Sequence, residues 1–230
     1  MITANCRDRF TAEDFGFVVR TLARSEGESI SLVELLTDTE ARDAILDSPL
    51  LFKSVLEDGS PLRISPQLYF YVLTRHVLKE TGLEDRVLTD YVASLLENFS
   101  YRARMRSPAD GADGPIQYVS DMLVALRNAS PTQTFLIRAH VGNYSLFISG
   151  IFPERVHHRA ARGAPDVTFY EEMGRASFKA AAAFPAARTA LLAEVLEQLA
   201  EKFGEVRRAL NRLSDSLLHL GERPVQIAVD

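Results

Sequence analysis

Apolar side chains recur along this chain at steps of three and four, the spacing that gathers them on one face of an α-helix, and almost nowhere at the step of two that a half-buried strand needs. After Thr11, the residues Phe15, Val18, Val19 and Leu22 share one face, and further on Leu88, Tyr91, Leu95 and Phe99 form a second stripe. From Leu68 to Leu78 nearly every residue is apolar, which predicts a helix buried on most sides until Gly82 ends it. The one alternating run, Pro224 to Val229, is short. The pattern predicts an all-α fold.

Start signals support the same reading. Ser48-Pro49, Ser65-Pro66, Ser107-Pro108 and Ser130-Pro131 each place a capping hydroxyl before a proline suited to the first helical position. Ser130 with Gln133, and Thr11 with Asp14, have capping-box spacing. The longest pattern lies near the C-terminus, where Leu192, Leu196, Leu199, Phe203, Val206, Leu210, Leu213, Leu217 and Leu220 alternate steps of four and three. With Pro185 as a start and Gly221 and Pro224 as a stop, this predicts one helix of about 35 residues, roughly 50 Å long. The positions beside the seam include Ala193, Val195, Ala200, Ala209, Ser214 and Ser216 rather than charges. So broad an apolar face fits a helix packed against several others better than a symmetric two-stranded coiled coil. Glu194, Glu197, Glu201 and Glu205 lie outward early in this helix and Arg207, Arg208 and Arg212 late, as its dipole favours. The expected architecture is a multi-helix bundle with a long, heptad-patterned C-terminal helix.

A glycine- and proline-containing stretch at 101–114 offers a place to divide the chain. The apolar faces on either side are too wide to be covered within each half, so a single all-α domain over 1–230 is the preferred reading. Composition changes little in this picture. The 230 residues, 47% hydrophobic and 25% charged, suit a globular protein and set aside disordered, fibrous and disulfide-stapled classes. A net charge of −5 argues against a broad basic face, and the three arginines of YRARMR, Arg102, Arg104 and Arg106, make only a short exception, so nucleic acid is not an expected partner. A single cysteine, Cys6, allows no internal disulfide and no cysteine metal cluster, which fits a reducing compartment. MITANCRDRF carries no apolar core of signal-peptide length, and the most apolar run, Ala139 to Phe152, falls short of the ~20 residues of a membrane span. The expectation is a cytoplasmic protein without a membrane span.

Chemistry concentrates in one segment, 135–162, where polar groups interrupt what should be core. Helical spacing puts His140, Asn143, Phe147 and Gly150 on one stripe, and a helix continuing through Pro153 would extend it to Glu154 and to His157 or His158. His140 and Asn143, with Tyr144 beside them, either line a ligand pocket or satisfy one another inside a core. A second stripe of small residues, Ala139, Gly142, Ser145 and Ser149, would admit a close neighbouring helix. Glu154 and His157 have the Glu-x-x-His spacing of carboxylate-bridged metal bundles, and Glu172 is among the nearest groups to complete a set. No second Glu-x-x-His occurs, so the pattern argues against a metal site. Arg155, Arg159 and Arg162, with His158, could hold a small anion through guanidinium forks or could balance a helix C-terminus. No phosphate loop, nucleophile elbow, zinc helix, calcium loop or other motif identifies a reaction or a cofactor.

Two functions from different classes follow. The first is a binding, adaptor or regulatory protein whose partner is another protein or a second copy of the chain. The alternative is a small-molecule or metal-dependent enzyme with its pocket on the polar stripe of the 135–162 segment.

Overall fold

The computed structural model describes residues 1–57, 64–100 and 119–217. The 101–114 stretch with Arg102, Arg104 and Arg106, the Ser107-Pro108 signal, the Pro224 to Val229 run, and Leu220, Gly221 and Pro224 at the end of the heptad pattern lie outside the described residues. Among the described residues every regular element is helical and none is a strand. The chain divides into two compact units, Asn5–Glu97 and Asn98–Asp230 with Met1–Ala4.

The smaller unit opens with a 3-10 turn at Arg7–Arg9, followed by α1 (Ala12–Leu22), α2 (Glu26–Leu35), α3 (Thr39–Leu46), α4 (Pro49–Glu57), α5 (Pro66–Glu80) and α6 (Arg86–Ser100), whose last residues count with the larger unit. Its helix starts are made by the expected devices. The Thr11 side chain accepts from the Asp14 amide while the Thr11 amide donates to Asp14 Oδ2 at 2.8 Å. Fully buried Asp14 also accepts from the Ser65 amide at 2.7 Å and the Ser65 hydroxyl at 2.6 Å, and Ser65 in turn caps Leu68. One carboxylate thereby ties the N-termini of α1 and α5 together. Helix α5 buries Leu68, Tyr71, Val72, Leu73, Val77 and Leu78, and it ends where Gly82 adopts φ +79, which lets the Leu83 amide turn back onto the Leu78 carbonyl. Leu88, Tyr91, Leu95 and Phe99 of α6 are buried, as their spacing requires.

The larger unit contains α7 (Val119–Ala125), α8 (Pro131–Ile151), α9 (Pro153–Ala160), α10 (Val167–Ala182), α11 (Pro185–Thr189), α12 (Ala193–Glu201) and α13 (Phe203–Arg212), closed by a π-helical turn at Leu213–Leu217. Ser130 and Gln133 form the reciprocal capping box at the start of α8. Helix α10 lies along α8, and α13 packs against α8 as well. The approach is close because α8 and α10 present glycines. A Cβ on Gly142 would sit 2.6 Å from the Phe178 ring, one on Gly150 would sit 2.9 Å from Leu210 Cβ, and Gly174 is pressed by Phe203.

The continuous C-terminal helix is not what the chain builds. Helix α11 ends at Thr189, Leu191 turns with φ +55, and a further break at Lys202, with φ −99 and ψ 18, separates α12 from α13. The buried seam survives these breaks: Leu192, Leu196, Leu199, Phe203, Val206, Leu210 and Leu213 are all buried, as are the flanking Val195, Ala200, Ala209 and Ser214. The heptad pattern records burial, not continuity. At Lys202 its own amide still bonds back to the Gln198 carbonyl and its carbonyl already accepts from Val206, so the bend falls between turns without shifting which residues face inward. Leu210 packs on Gly150 inside the seam, whereas Glu201 is exposed. Leu210→Ala should therefore destabilise the fold by about 2–5 kcal/mol in urea unfolding, and Glu201→Ala by no more than about 0.5 kcal/mol. A large loss at Glu201 would place that face in an interface.

Candidate functional site

The polar stripe of α8 is interior. His140, Asn143 and Tyr144 retain 7%, 3% and 9% of their exposure, and each engages neighbouring groups. The His140 ring lies 5.5 Å from that of Phe99, tilted, and Phe99 meets Phe147 edge-on at 5.2 Å. The histidine thus stands against an aromatic cluster, and neither it nor Asn143 is without a partner.

The stripe does not run on to Glu154 and His157. Phe152 leaves helical geometry at φ −126 and ψ 51, and Pro153 starts a new helix, because proline carries no amide to continue the old ladder. The Ser149 carbonyl, which would have bonded that amide, instead accepts from Asn211 Nδ2 at 2.9 Å. The same amide group reaches the Gly150 carbonyl at 2.7 Å, and the Ser214 hydroxyl donates to the Ile151 carbonyl at 2.7 Å. Arg207 fixes the Asn211 amide by donating to its Oδ1 at 2.9 Å, and Glu171 links Arg207 to Arg175. Asn211, Ser214 and Arg207 are the polar residues that complete this end of the unit. Sequence reading had no reason to pair them with a helix end 61 residues earlier.

On α9, Glu154, Arg155, His157 and His158 are exposed, as is Arg162 just beyond it, while Arg159 is half-buried. The charges of Arg155 and Arg159 both act on Tyr170 of α10. Burial pushes that phenol upward, and the two guanidiniums pull it the other way. Glu172 is exposed on α10. Among the described residues no three His, Cys, Asp or Glu side chains are placed to hold a metal ion, so Glu154, His157 and Glu172 do not gather into a ligand set. Among those residues, too, no helix is long and apolar enough to cross a membrane.

The smaller unit holds an ion-pair network that spacing did not reveal. Arg7 binds Asp90 through Nε at 2.9 Å and Nη2 at 2.8 Å, and Asp43 through Nη1 at 2.6 Å. Asp47 accepts from Arg75 at 2.9 Å, Lys79 at 2.9 Å and Arg86 at 3.0 Å. Arg86 also reaches Asp43 at 3.3 Å. Each carboxylate is already occupied, which makes the network a brace between elements and not an open site. Cys6 is closed as well: it is fully buried, its thiol faces the Gln67 carbonyl, and burial pushes it up to about 12, far from the thiolate that reactivity requires.

The least expected feature is α2. Not one of its ten residues is buried. Ile30, Val33 and Leu35 keep 61%, 55% and 47% of their exposure, while Ser29 and Leu32 are half-buried. A helix this short is marginal in water without burial, and this one includes Gly27 and two serines whose hydroxyls bond back to carbonyls four residues earlier, Ser29 to Ser25 and Ser31 to Gly27. Its N-terminal cap, Ser25 accepting from the Glu28 amide, is regular. Ser-Ile-Ser-Leu-Val-Glu-Leu-Leu fits neither helical nor strand period cleanly, and its inward side is narrow, Ser29 and Leu32 half-buried and Leu36 buried just past the helix.

No protein-family model, curated protein or solved structure matches the chain.

Two measurements probe these polar groups. Replacing His140 with Gln removes the ring contact with Phe99 and disturbs its buried partners, so unfolding free energy should drop by about 1–3 kcal/mol. A variant as stable as wild type would mean that the imidazole is kept for a purpose other than holding the core. Asp47 carries a pH signature. Burial pushes its carboxyl up, but hydrogen bonds from Arg75 and Lys79 and the charges of Arg75 and Arg86 outweigh that and hold it well below the usual carboxylate range. Such a group stabilises the fold above its unfolded value near 4 and gives that contribution up as the pH falls from there. Asp90 works in the opposite sense, because burial pushes its carboxyl up against the hydrogen bonds and charge of Arg7. Between about pH 6 and 3, wild-type stability should fall more steeply than that of Asp47→Asn, where this group alone is removed. Parallel curves would show that the Asp47 ion pairs add nothing.

Proposed function

We propose that this chain acts by binding, as an adaptor or regulatory protein, and that a partner protein docks on the exposed side of α2. The observation that supports this is the exposure of Ile30 and Val33, one turn apart on a helix with no buried residue. Single exposed apolar residues are ordinary on protein surfaces, but a short helix with no fully buried residue and only Ser29 and Leu32 half-buried has little of the burial that normally sustains it. A partner covering that side would supply what the unit does not. The polar chemistry elsewhere supports the same reading, since Arg7, Arg75 and Arg86 are spent on Asp43, Asp47 and Asp90 and His140 of α8 is buried against Phe99.

The reading is checked with the Ile30→Ser/Val33→Ser double variant. Both side chains are exposed, so unfolding free energy should change by no more than about 1 kcal/mol, two small surface effects together. Proteins that co-purify with the wild-type chain should be lost from the variant, and the complex, rebuilt from purified components, should weaken at least tenfold, about 1.4 kcal/mol. Retention of every binary complex by the variant would refute docking on α2.

A further inference from the structure

The charge around α2 says what kind of surface can cover it. Residues 25–41 contain Glu26, Glu28, Glu34, Asp38 and Glu40 and no lysine or arginine, with Arg24 and Arg42 just beyond the two ends. Glu28 and Asp38 are used locally, Glu28 accepting from the Arg24 amide and Asp38 capping α3 through the Ala41 amide. Glu26, Glu34 and Glu40 form no ion pair with any described residue and stand in solvent. Helical spacing puts Glu26 and Glu34 four residues on either side of Ile30, in the same row, with Val33 beside it. The side that exposes the apolar pair is therefore flanked by carboxylates above and below.

We propose that α2 takes a cationic amphipathic helix of a partner protein, its apolar residues resting on Ile30 and Val33 and its lysines or arginines facing Glu26 and Glu34. This inference rests on the docking reading above and adds the chemistry of the partner. A second copy of α2 would set carboxylates against carboxylates, and an anionic lipid surface would do the same. Like charges across an interface oppose association, whereas complementary ones steer the partner and fix its register. An opposing helix with apolar anchors and flanking cations matches the helix-on-helix mode of peptide recognition.

The test uses the full chain and labelled synthetic peptides of about 18 residues, five helical turns, with leucines on one face and lysine on the other. Matched peptides replace every lysine with glutamine or with glutamate. Fluorescence anisotropy is read for wild type, Ile30→Ser/Val33→Ser and Glu26→Gln/Glu34→Gln, with circular dichroism confirming that the variants remain helical. The lysine peptide should bind wild type, bind each double variant at least about tenfold more weakly, and lose affinity as salt rises from about 50 to about 300 mM. The glutamate peptide should not bind. If the glutamine peptide binds as tightly as the lysine peptide, and only the Ile30/Val33 variant weakens it, the charge inference fails while the docking face stands. If no peptide's binding depends on Ile30 and Val33, both fail. Sedimentation of wild type as a dimer that Ile30→Ser/Val33→Ser returns to monomer would make a second copy the occupant and overturn the proposal. Binding to phosphatidylglycerol vesicles that needs Ile30 and Val33 would overturn it equally.

Discussion

A proline leaves a hole in the hydrogen bonding of α8, and the larger unit is arranged to fill it. Pro153 cannot donate to the Ser149 carbonyl, and buried carbonyls left without a donor are costly enough that native folds rarely keep them. Asn211 supplies two donors and Ser214 a third, each from the segment that closes the seam. That requirement holds α13 against the end of α8. The same junction brings Leu210 onto Gly150, where any side chain larger than hydrogen would meet its Cβ. The orientation of the Asn211 amide is set in turn by Arg207, which Glu171 of α10 holds. Polar satisfaction, close packing and helix direction are thus one constraint viewed at three scales.

The smaller unit reaches order by another route. The N-termini of its helices α1 and α5 converge on Asp14, and its interior charges are matched in a shared network in which Arg7, Arg75 and Arg86 each touch a carboxylate, and Asp47 and Asp43 touch more than one cation. Buried pairs of this kind repay their desolvation only when the geometry is good and the remaining lone pairs are satisfied. Here the Arg75 guanidinium makes two bonds to Asp47 and a third to the Glu84 carbonyl at 2.6 Å, which meets that condition. The arrangement specifies register, because a slip of any one helix would strand a charge. It also ties the unit to pH, since its cations stay charged while Asp47 can be neutralised by acid.

What could be read from the residues, and what could not, divides by the range of the interaction. Caps at Thr11, Ser65 and Ser130 act within three residues, so their chemistry is written locally and the structure contains all of them. The seam from Leu192 to Leu213 was legible because burial imposes a period, but the breaks at Leu191 and Lys202 were not, since neither changes the phase of that period. The polar stripe was visible as an anomaly at His140 and Asn143, yet its extension to Glu154 and His157 depended on a helix continuing through Pro153, and the rule that proline ends such a ladder decides otherwise. The Asn211 cap and the Asp47 network join residues far apart in the chain. Each of their members, taken alone in the sequence, is an ordinary polar residue on a helix.

Helix α2 stands apart from the capped and buried helices α1, α5 and α8. In α1, α5 and α8 local caps, apolar residues and packing agree, which is what a well-specified fold requires. In α2 the cap agrees but the packing is thin: only Ser29 and Leu32 are half-buried, Ile30, Val33 and Leu35 stand in solvent, the serines draw their hydroxyls back onto the helix, and Glu26 and Glu34 form no ion pair with any described residue although Arg24 and Arg42 lie just beyond the segment's ends. Local conflicts of this kind are expected where a surface is kept for something outside the fold. Burial is thin there and the exposed side is acidic, and a single partner surface that is both apolar and cationic would resolve the two together. Neither deficiency alone would specify a partner. An uncharged apolar surface would leave the carboxylates facing a drier environment without cations, and a purely basic one would leave Ile30 and Val33 without cover.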